Sequence, residues 1–348
     1  MKQIPGGVTA PKGFTASGVH CGVKKGKGDG NQPPMSKMPE VLEGKKDLAL
    51  ILSEQPCVAA AVYTMNRVKA APLYVTMEHL ENGEAQAIVA NSGNANACAP
   101  NSHEHAETMC RLAAQATGLR PSDFVVASTG VIGQELNIDA IAQGLPAAAA
   151  ALSKDGSDAA ANAIMTTDTV KKELSVTCSV GGKTVTIGAI AKGSGMIHPN
   201  MGTMLCFVTT DCAITHEMLT DALHEIVPRT FNRVTVDGDT STNDMCVVLA
   251  NGMAGNELIE WKDDSYTVFY KTLYYVFEQL ARSIAADGEG ASKLITCTVA
   301  NARSEESAER LAKAVVGSSL VKAAMFGSDA NWGRVLCAMG YSKAPFRP

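Results

Sequence analysis

The sequence predicts an α/β fold, because strand-like and helix-like segments are mixed along its whole length. Short apolar runs that favour buried strands occur between longer stretches whose apolar residues recur at helical spacing. The chain has 348 residues, of which 46% are hydrophobic, so it can bury a large core. This length fits one or two domains, and no internal repeat or evident linker divides the sequence.

Each element follows from the local pattern of residues. The predicted strands, which are apolar or alternate between apolar and polar residues, are 59–63, 85–90, 123–128, 184–190, 205–210, 233–236, 246–250 and 294–300. The predicted helices are 103–117, 138–152, 216–227, 266–286 and 304–316. Ser102 can cap the first of these helices, and Gly118 and Pro121 end it. Segments 1–20 and 26–39, rich in glycine or proline, are predicted to be loops.

Composition excludes several classes of function. The net charge is −5 and only 5% of the residues are aromatic, which argues against a nucleic-acid-binding surface. No apolar run reaches the roughly 18 residues of a membrane span, and no charged n-region followed by an apolar h-region opens the sequence, so we expect neither a membrane span nor a secretion signal. The ten cysteines include no C-x-x-C pair and are predicted to be buried free thiols. We therefore expect a cytoplasmic protein without nucleic-acid or membrane partners.

The acidic segment 237–244 begins like a calcium-binding loop. It lacks the glycine of the sixth position, and Val248 stands where the bidentate glutamate of the twelfth position would be. We therefore predict a hydrogen-bonded turn beside the active site instead of an EF-hand. The sequence also contains no P-loop or dinucleotide-binding fingerprint. We expect neither a metal site nor a resident cofactor.

The most distinctive stretch is 192–211, which contains the pair Gly202-Thr203. A threonine that opens a strand is ordinary by itself, but the loop before it concentrates glycine, proline and asparagine. The Thr203 hydroxyl could attack the Gly202 carbonyl, and hydrolysis of the resulting ester would free the Thr203 α-amino group. An α-amino group titrates at about 7.7–8.0. Thr203 would then carry both a nucleophile and a base.

Two other turns could supply partners for this nucleophile. Thr129 and Gly130 follow a strand, where backbone N–H groups and a hydroxyl can converge on one oxygen as an oxyanion hole requires. Glu289 lies between two glycines after a long helix and could pair with a substrate ammonium. Taken alone, each segment is also compatible with an ordinary turn that ends a strand or a helix.

Together these residues resemble the ornithine acetyltransferase family, also called glutamate N-acetyltransferases, of the cyclic arginine pathway. The resemblance covers nearly the whole chain and rests on seven motifs in order. They lie at 91–98, 128–133, 165–169, 192–211, 236–244, 287–293 and 331–334. Any one motif is weak, whereas the ordered set is specific.

The resemblance implies a layered α-β-β-α sandwich similar to N-terminal-nucleophile hydrolases but with its own connectivity. It also implies self-cleavage between Gly202 and Thr203. The products would be an α chain of residues 1–202 and a β chain of residues 203–348, which together form one catalytic unit. The expected assembly of these chains is a heterotetramer.

The resemblance further implies a mechanism in which the acetyl group of N-acetylornithine passes to glutamate through acetyl-Thr203. Thr129 and Gly130 match the family's oxyanion-hole pair. The implied substrate-binding residues are Thr166, Thr167, Lys192, Thr203 and Glu289. Acetyl-CoA is a further acetyl donor to consider as a co-substrate.

Two departures from the family keep alternatives open. The family usually has alanine where this sequence has Gly202 and His198. Glycine should still permit cleavage, and His198 either donates a hydrogen bond near the loop or is merely tolerated there. Family members continue past the Gly340-Tyr341 region and supply an asparagine and a hydroxyl residue to the substrate site. A tail-truncated homologue with reduced activity is therefore one alternative. A related self-processing aminopeptidase or amidohydrolase, with water as the acceptor, is another.

Overall fold

The computed structural model describes residues 1–24, 44–198 and 204–347, so the predicted loop 26–39 and the pair Gly202-Thr203 lie outside the described residues. The strands within the described part are β1 (Lys2–Ile4), β2 (Phe14–Val19), β3 (Leu48–Tyr63), β4 (Glu84–Asn94), β5 (Phe124–Val131), β6 (Lys172–Val180), β7 (Lys183–Lys192), β8 (Leu205–Thr210) and β9 (Met245–Ala250). The helices there are α1 (Ala71–His79), α2 (Ser102–Thr117), α3 (Ile138–Ala150), α4 (Ser157–Ile164), α5 (His216–Ile226), α6 (Asp264–Ala286), α7 (Glu305–Gly317), α8 (Ser319–Phe326) and α9 (Trp332–Gly340).

The strands form one nine-stranded sheet in the order β1-β6-β7-β8-β9-β3-β4-β5, with β2 also paired to β3. The long strand β3 connects two halves of this sheet. Its first part pairs with β2 and β4, and its last part, from Val58 to Tyr63, pairs with β9. The register with β4 shifts between Leu52 and Cys57, where the strand passes from one half to the other.

Three hydrophobic cores separate four layers. Because successive residues of a strand point to opposite faces, Leu50 packs in the core with α2 and α3, whereas Ile51 packs in the central core. In the other half of the sheet, Phe207 enters the central core and Val208 packs in the core with α5 and α6. The layers are therefore helices, one half of the sheet, the other half of the sheet, and helices. The predicted α/β class and the layered α-β-β-α arrangement are confirmed.

The long helices follow the predicted pattern closely. Helix α6 begins where the Asp263 carboxylate accepts a hydrogen bond from the Tyr266 N–H, and its apolar face, which includes Phe269, Leu273 and Phe277, is fully buried against the sheet. Helix α2 ends at Gly118, whose φ of 79° suits glycine. The predicted cap of α2 is wrong, because Asn101 occupies the cap position and makes no side-chain capping bond.

Several short elements differ from the prediction. Segment 1–20 contains β1 and β2, and β6 and helices α1, α4, α8 and α9 have no predicted counterpart. Segments 233–236 and 294–300 form no strand. Segment 294–300 does alternate in burial, with Ile295, Cys297 and Val299 half-buried, but it has no partner strand among the described residues. Alternation alone cannot form a strand, since the backbone ladder requires a neighbour.

Candidate active site

The start of β8 marks the position of the site. Gly202 and Thr203 lie outside the described residues, but Met204, the residue that follows them, is buried. The Met204 carbonyl accepts a hydrogen bond of 2.9 Å from the Met245 N–H at the start of β9. From Met204 onward, the chain therefore lies in the buried middle of the sheet.

Lys192 is the last residue of β7 and pairs with Leu205 of β8, which follows Thr203 by two residues in the sequence. Its side chain is buried, and among the described residues it forms no hydrogen bond or ion pair. Burial lowers the pKa of the Lys192 ammonium, and the nearby Lys172 charge acts in the same direction, while Asp168, Asp244 and Glu289 partly oppose the change. A buried cation without a close partner is suited to binding an anionic group.

The predicted oxyanion-hole residues lie where two parallel strands end side by side. Thr129 and Gly130 of β5 are in register with Ser92 and Gly93 of β4. Gly130 has a φ of 136°, and a Cβ atom built there would lie 2.3 Å from the Gly93 carbonyl carbon. This close approach of two backbones requires glycine. The Thr129 side chain is buried at the same strand end.

A small cavity of about 20 Å³ joins these parts. Its lining residues come from both halves of the sheet and are Thr129, Lys192, Gly195, Met196, Met204, Leu205, Ser241, Asn243 and Asp244. The cavity has roughly the volume that one water molecule occupies. It brings Thr129 and Lys192 together directly beside Met204, as a site at Thr203 requires.

Glu289 lies in the turn that follows α6, at the edge of this site. Its backbone N–H donates a 3.1 Å hydrogen bond to the Ser194 carbonyl, and the Ser194 hydroxyl donates one of 2.7 Å to the Asp287 carbonyl. A Cβ atom at Gly195 would lie 2.3 Å from Glu289 Oε1, so the carboxylate packs directly on that glycine. Glu289 is exposed, which leaves its carboxylate accessible to a substrate.

Thr166 and Thr167 follow α4 and approach the site through Asp168. The Thr166 N–H donates a 3.1 Å hydrogen bond to Asp168 Oδ2, and the Gly193 N–H donates one of 2.7 Å to Asp168 Oδ1. The same carboxylate therefore holds this segment against the residue that follows Lys192. Thr166 is half-buried and Thr167 is exposed.

A buried ion cluster, which has no counterpart in the sequence prediction, holds these segments together. Lys172 Nζ lies 2.8 Å from Asp168 Oδ1 and 2.6 Å from Asp287 Oδ2, and all three side chains are almost completely buried. Asp287 also accepts hydrogen bonds from the N–H and the hydroxyl of Thr169. The only sequence signal is the spacing of four residues between Asp168 and Lys172, which does not identify Asp287 as a partner.

The segment 237–244 forms the predicted hydrogen-bonded turn beside the site. Asn243 Nδ2 donates to the carbonyl oxygens of Ala95, at 2.6 Å, and Ser128, at 2.8 Å, and so ties this turn to the ends of β4 and β5. The neighbouring Asp244 is buried and lines the cavity. Sequence reasoning considered its carboxylate only as part of a calcium-like loop and missed its place in the site.

Asp244 has the most perturbed carboxyl group of the site. Burial raises the pKa of this group well above its usual range, while a hydrogen bond with Ser241, the charge of Lys192 and the Met204 N–H act in the opposite direction. Its Oδ2 atom has no hydrogen-bond partner among the described residues. Buried polar atoms without partners are rare in folded proteins, and this one belongs to a residue that lines the cavity with Met204.

His198, at the other border of the undescribed segment, makes a local contact. Its Nδ1 lies 2.9 Å from the Thr235 hydroxyl. Burial lowers the pKa of His198, and the charges of Lys313 and Lys322 lower it further, whereas Asp237 and Asp239 raise it. His198 therefore forms a side-chain hydrogen bond near the loop, with the Thr235 hydroxyl as its partner.

The described residues lack the features of two other classes of site. No three or more His, Cys, Asp or Glu side chains in residues 1–24, 44–198 and 204–347 are grouped as metal ligands would be. In the same residues, no helix has the length and apolar character needed to cross a membrane.

Comparison with known proteins identifies the family. The ArgJ family model matches residues 36–348. An arginine biosynthesis bifunctional protein ArgJ from Symbiobacterium thermophilum is 55% identical over all of this chain and 83% of its own length. Its counterpart from Caldanaerobacter subterraneus is 49% identical over 99% of this chain and 82% of its own length.

A solved structure shows the same fold at low sequence identity. The PH0078 protein from Pyrococcus horikoshii is 14% identical, with a TM-score of 0.50 over 83% of this chain and 88% of that one. The family match and the two close relatives show that this chain belongs to the ArgJ family.

Proposed function

We propose that this ArgJ family member is a self-processing acetyltransferase of arginine biosynthesis, which moves the acetyl group of N-acetylornithine to glutamate. The relatives' names, which describe a bifunctional protein of arginine biosynthesis, support the pathway. The observation that carries the site is that Thr129 and Lys192 meet in one cavity beside Met204. A nucleophile at Thr203, the preceding residue, would therefore have an oxyanion partner and a buried cation nearby.

The first step is self-cleavage. The Thr203 oxygen attacks the Gly202 carbonyl carbon, the peptide C–N bond breaks as an ester forms, and water hydrolyses the ester to a Gly202 carboxylate and a free Thr203 hydroxyl. The two chains, 1–202 and 203–348, remain together because β7 of the first pairs along its length with β8 of the second. Strand β3 of the first chain likewise pairs with β9 of the second.

Acetyl transfer then follows in two stages. The Thr203 α-amino group takes the hydroxyl proton as the oxygen attacks the acetyl carbonyl, and Thr129 and Gly130 stabilise the tetrahedral oxyanion. Collapse expels ornithine, whose amine receives that proton, and leaves acetyl-Thr203. The amine of glutamate attacks this ester and loses a proton to the Thr203 amine, which returns it to the threonine oxygen.

The charges around the cavity match the ends of an amino-acid substrate. In this proposal, the buried Lys192 ammonium binds the substrate carboxylate and the exposed Glu289 carboxylate binds a substrate ammonium. Thr166 or Thr167 contributes a hydroxyl from the segment held by Asp168. The reaction needs no resident cofactor, and acetyl-CoA is the second acetyl donor to test.

The setting of the enzyme is part of the same proposal. We place it in the cytoplasm as a heterotetramer of α and β chains. All ten cysteines lie within the described residues and are free thiols, seven of them buried, which is consistent with a reducing compartment.

Intact-mass spectrometry and acetyl-transfer assays test the proposal. The wild-type protein should split between Gly202 and Thr203, whereas Thr203→Ala should remain one chain and Thr203→Ser, which keeps a hydroxyl, should still split. Incubation with N-acetylornithine should add one acetyl group to the 203–348 chain, and glutamate should remove it as N-acetylglutamate. Assays with acetyl-CoA in place of N-acetylornithine would show whether there is a second donor.

Three results would contradict this function. Cleavage of the Thr203→Ala protein would remove Thr203 as the nucleophile. Release of acetate without N-acetylglutamate would indicate an amidohydrolase. A cleaved wild-type protein that neither binds an acetyl group nor transfers one would indicate a homologue without this activity.

A further inference from the structure

Asp244 carries a buried oxygen whose hydrogen-bonding capacity is unused. The residue is only 2% exposed, and its Oδ2 finds no partner in the described part of the chain. An ionised carboxylate is normally buried only with hydrogen-bond donors or a cation around it. This arrangement therefore suits a site that gains a donor at a later stage.

The position of Asp244 identifies that donor. Its carboxyl group interacts with the Met204 N–H, which lowers the pKa of that group, and it lines the cavity with Met204 and Thr129. Cleavage before Thr203 converts the backbone amide nitrogen of Thr203 into an α-amino group. Thr203 is the residue that precedes Met204 in the sequence. This new group has up to three protons to donate, where the peptide nitrogen had one. Its chemistry is therefore that of the donor the Asp244 oxygen lacks.

Among the charged groups around the cavity, Asp244 is the one suited to accept a hydrogen bond from the new amine. Within the described structure, the Lys192 ammonium at the end of β7 lowers the pKa of Asp244 by its charge. Lys192 is itself influenced by Asp168, Glu289 and Lys172 and, under the proposed function, binds the substrate carboxylate. Asp168 already accepts bonds from Lys172 and from two backbone N–H groups. Asp244 is the buried carboxyl of the cavity that still has an unpartnered oxygen in the described residues.

We propose that Asp244 is a positioning residue that binds the newly formed α-amino group of Thr203 and orients it toward the Thr203 hydroxyl. The inference rests on the proposed function, because the amine exists only after cleavage. No bond forms or breaks at Asp244. Its carboxylate accepts a hydrogen bond from the amine while the amine's lone pair takes the hydroxyl proton, and it stabilises the resulting ammonium until the leaving amine receives that proton.

The pH dependence separates this role from a purely structural one. A neighbouring carboxylate raises the pKa of an ammonium group, so Asp244→Asn should lower the pKa of the Thr203 amine. The acid limb of kcat/KM should then move to lower pH by about one to three pH units. Loss of orientation should reduce kcat roughly 10- to 100-fold. Asp244→Glu, which restores a carboxylate, should return the acid limb toward that of the wild type.

A second readout does not depend on transfer activity. The pH dependence with which a small amine-reactive reagent labels the N-terminus of the 203–348 chain, followed by mass spectrometry, reports the same amine. The matched control is Asp211→Asn, another buried aspartate with a raised pKa, which lies at the opposite end of β8 and should leave both pH profiles unchanged. Asp244→Ser provides the same comparison where the asparagine variant fails to fold.

The outcomes distinguish the two proposals. Cleaved Asp244→Asn protein with wild-type profiles for both labelling and kcat/KM would overturn the role of Asp244 and leave the proposed function intact. Cleaved wild-type protein without acetyl transfer would overturn the proposed function, while the labelling profiles would still decide whether Asp244 binds the amine. Wild-type protein that is never cleaved would overturn both.

Discussion

Lys172 and Lys192 lie near each other on the paired strands β6 and β7, where Lys172 is in register with Ala191, yet their surroundings differ sharply. Lys172 has two buried carboxylates within 2.8 Å of its ammonium group. Lys192 is also buried but forms no ion pair with a described residue. The first lysine has its charge satisfied by the protein itself, and the second does not.

This difference indicates that Lys172 stabilises the fold, whereas Lys192 is available to bind a ligand. The Lys172 cluster joins the segment after α4, the end of β7 and the turn after α6. These three segments carry Thr166, Lys192 and Glu289. The Lys172 cluster, whose charges are paired, therefore supports the segments that form the candidate site. Lys192, which has no ion-pair partner among the described residues, lines the cavity itself. Perturbed charges without partners are frequent at functional sites, because a ligand can complete them.

The strongest test of the comparison is Lys172→Met. This change leaves Asp168 and Asp287 buried without their cation, so we expect the free energy of unfolding to fall by about 3–5 kcal/mol. Urea unfolding followed by circular dichroism measures the change. The control is Lys171→Met, since Lys171 is exposed and its pairs with Asp158 and Glu173 should contribute about 1 kcal/mol or less. Equal losses in the two variants would show that the buried cluster is not specially stabilising.

Lys192→Met should produce the opposite pattern. Loss of the charged contact to the substrate should reduce kcat/KM for acetyl transfer by about tenfold to 150-fold, which corresponds to about 1.5–3 kcal/mol. Stability should stay the same or rise, because a buried charge without a partner is replaced by an apolar side chain. Steady-state kinetics and urea unfolding measure the two effects, with Lys183→Met at the exposed start of β7 as the control. A loss of stability with unchanged kinetics would reverse the comparison.

The smallest effect concerns acid stability. Burial alone raises the pKa values of Asp168 and Asp287, but the charge and hydrogen bonds of Lys172, together with Lys192 for Asp168 and Thr169 for Asp287, lower them overall. An unfolded aspartate titrates at about 3.9, so the unfolded chain binds more protons below that pH and stability falls as the pH drops toward the lower folded pKa values. The stability difference between wild type and Lys172→Met should therefore shrink below about pH 4. Urea unfolding at a series of pH values measures it, and a constant difference would contradict the assigned pKa shifts.

The elements that the sequence predicts well are those whose signal is local. Helix α6 and strand β8 were expected from apolar periodicity, because burial of one face or of a whole short run leaves a direct pattern in the sequence. Strands β1 and β2 were missed because glycine and proline around them predict loops, while pairing with β6 and β3 stabilises them. Segment 294–300 shows the reverse error, since its strand-like alternation has no partner strand in the described structure.

In the candidate site, too, the residues with a local sequence signal were predicted and those that depend on distant partners were not. Thr129, Lys192 and Glu289 were singled out from turn chemistry and family motifs, and the structure brings Thr129 and Lys192 into one cavity with Glu289 at its edge. The roles of Asp244 and Lys172 were not predicted. Their significance comes from burial and from partners more than a hundred residues away or on other strands, such as Asp287 for Lys172.

The sequence by itself determined the α/β class and the family, and it predicted candidates for the nucleophile, the oxyanion donors and the substrate-binding charges, because residue type and local spacing carry that information. Only the tertiary structure decided which charges are balanced. A lysine's pKa and its availability to a ligand depend on desolvation and on carboxylates within a few ångströms, and chain order does not specify those distances. For this reason Lys172 and Lys192, both ordinary strand residues in the sequence, differ so clearly in the folded protein.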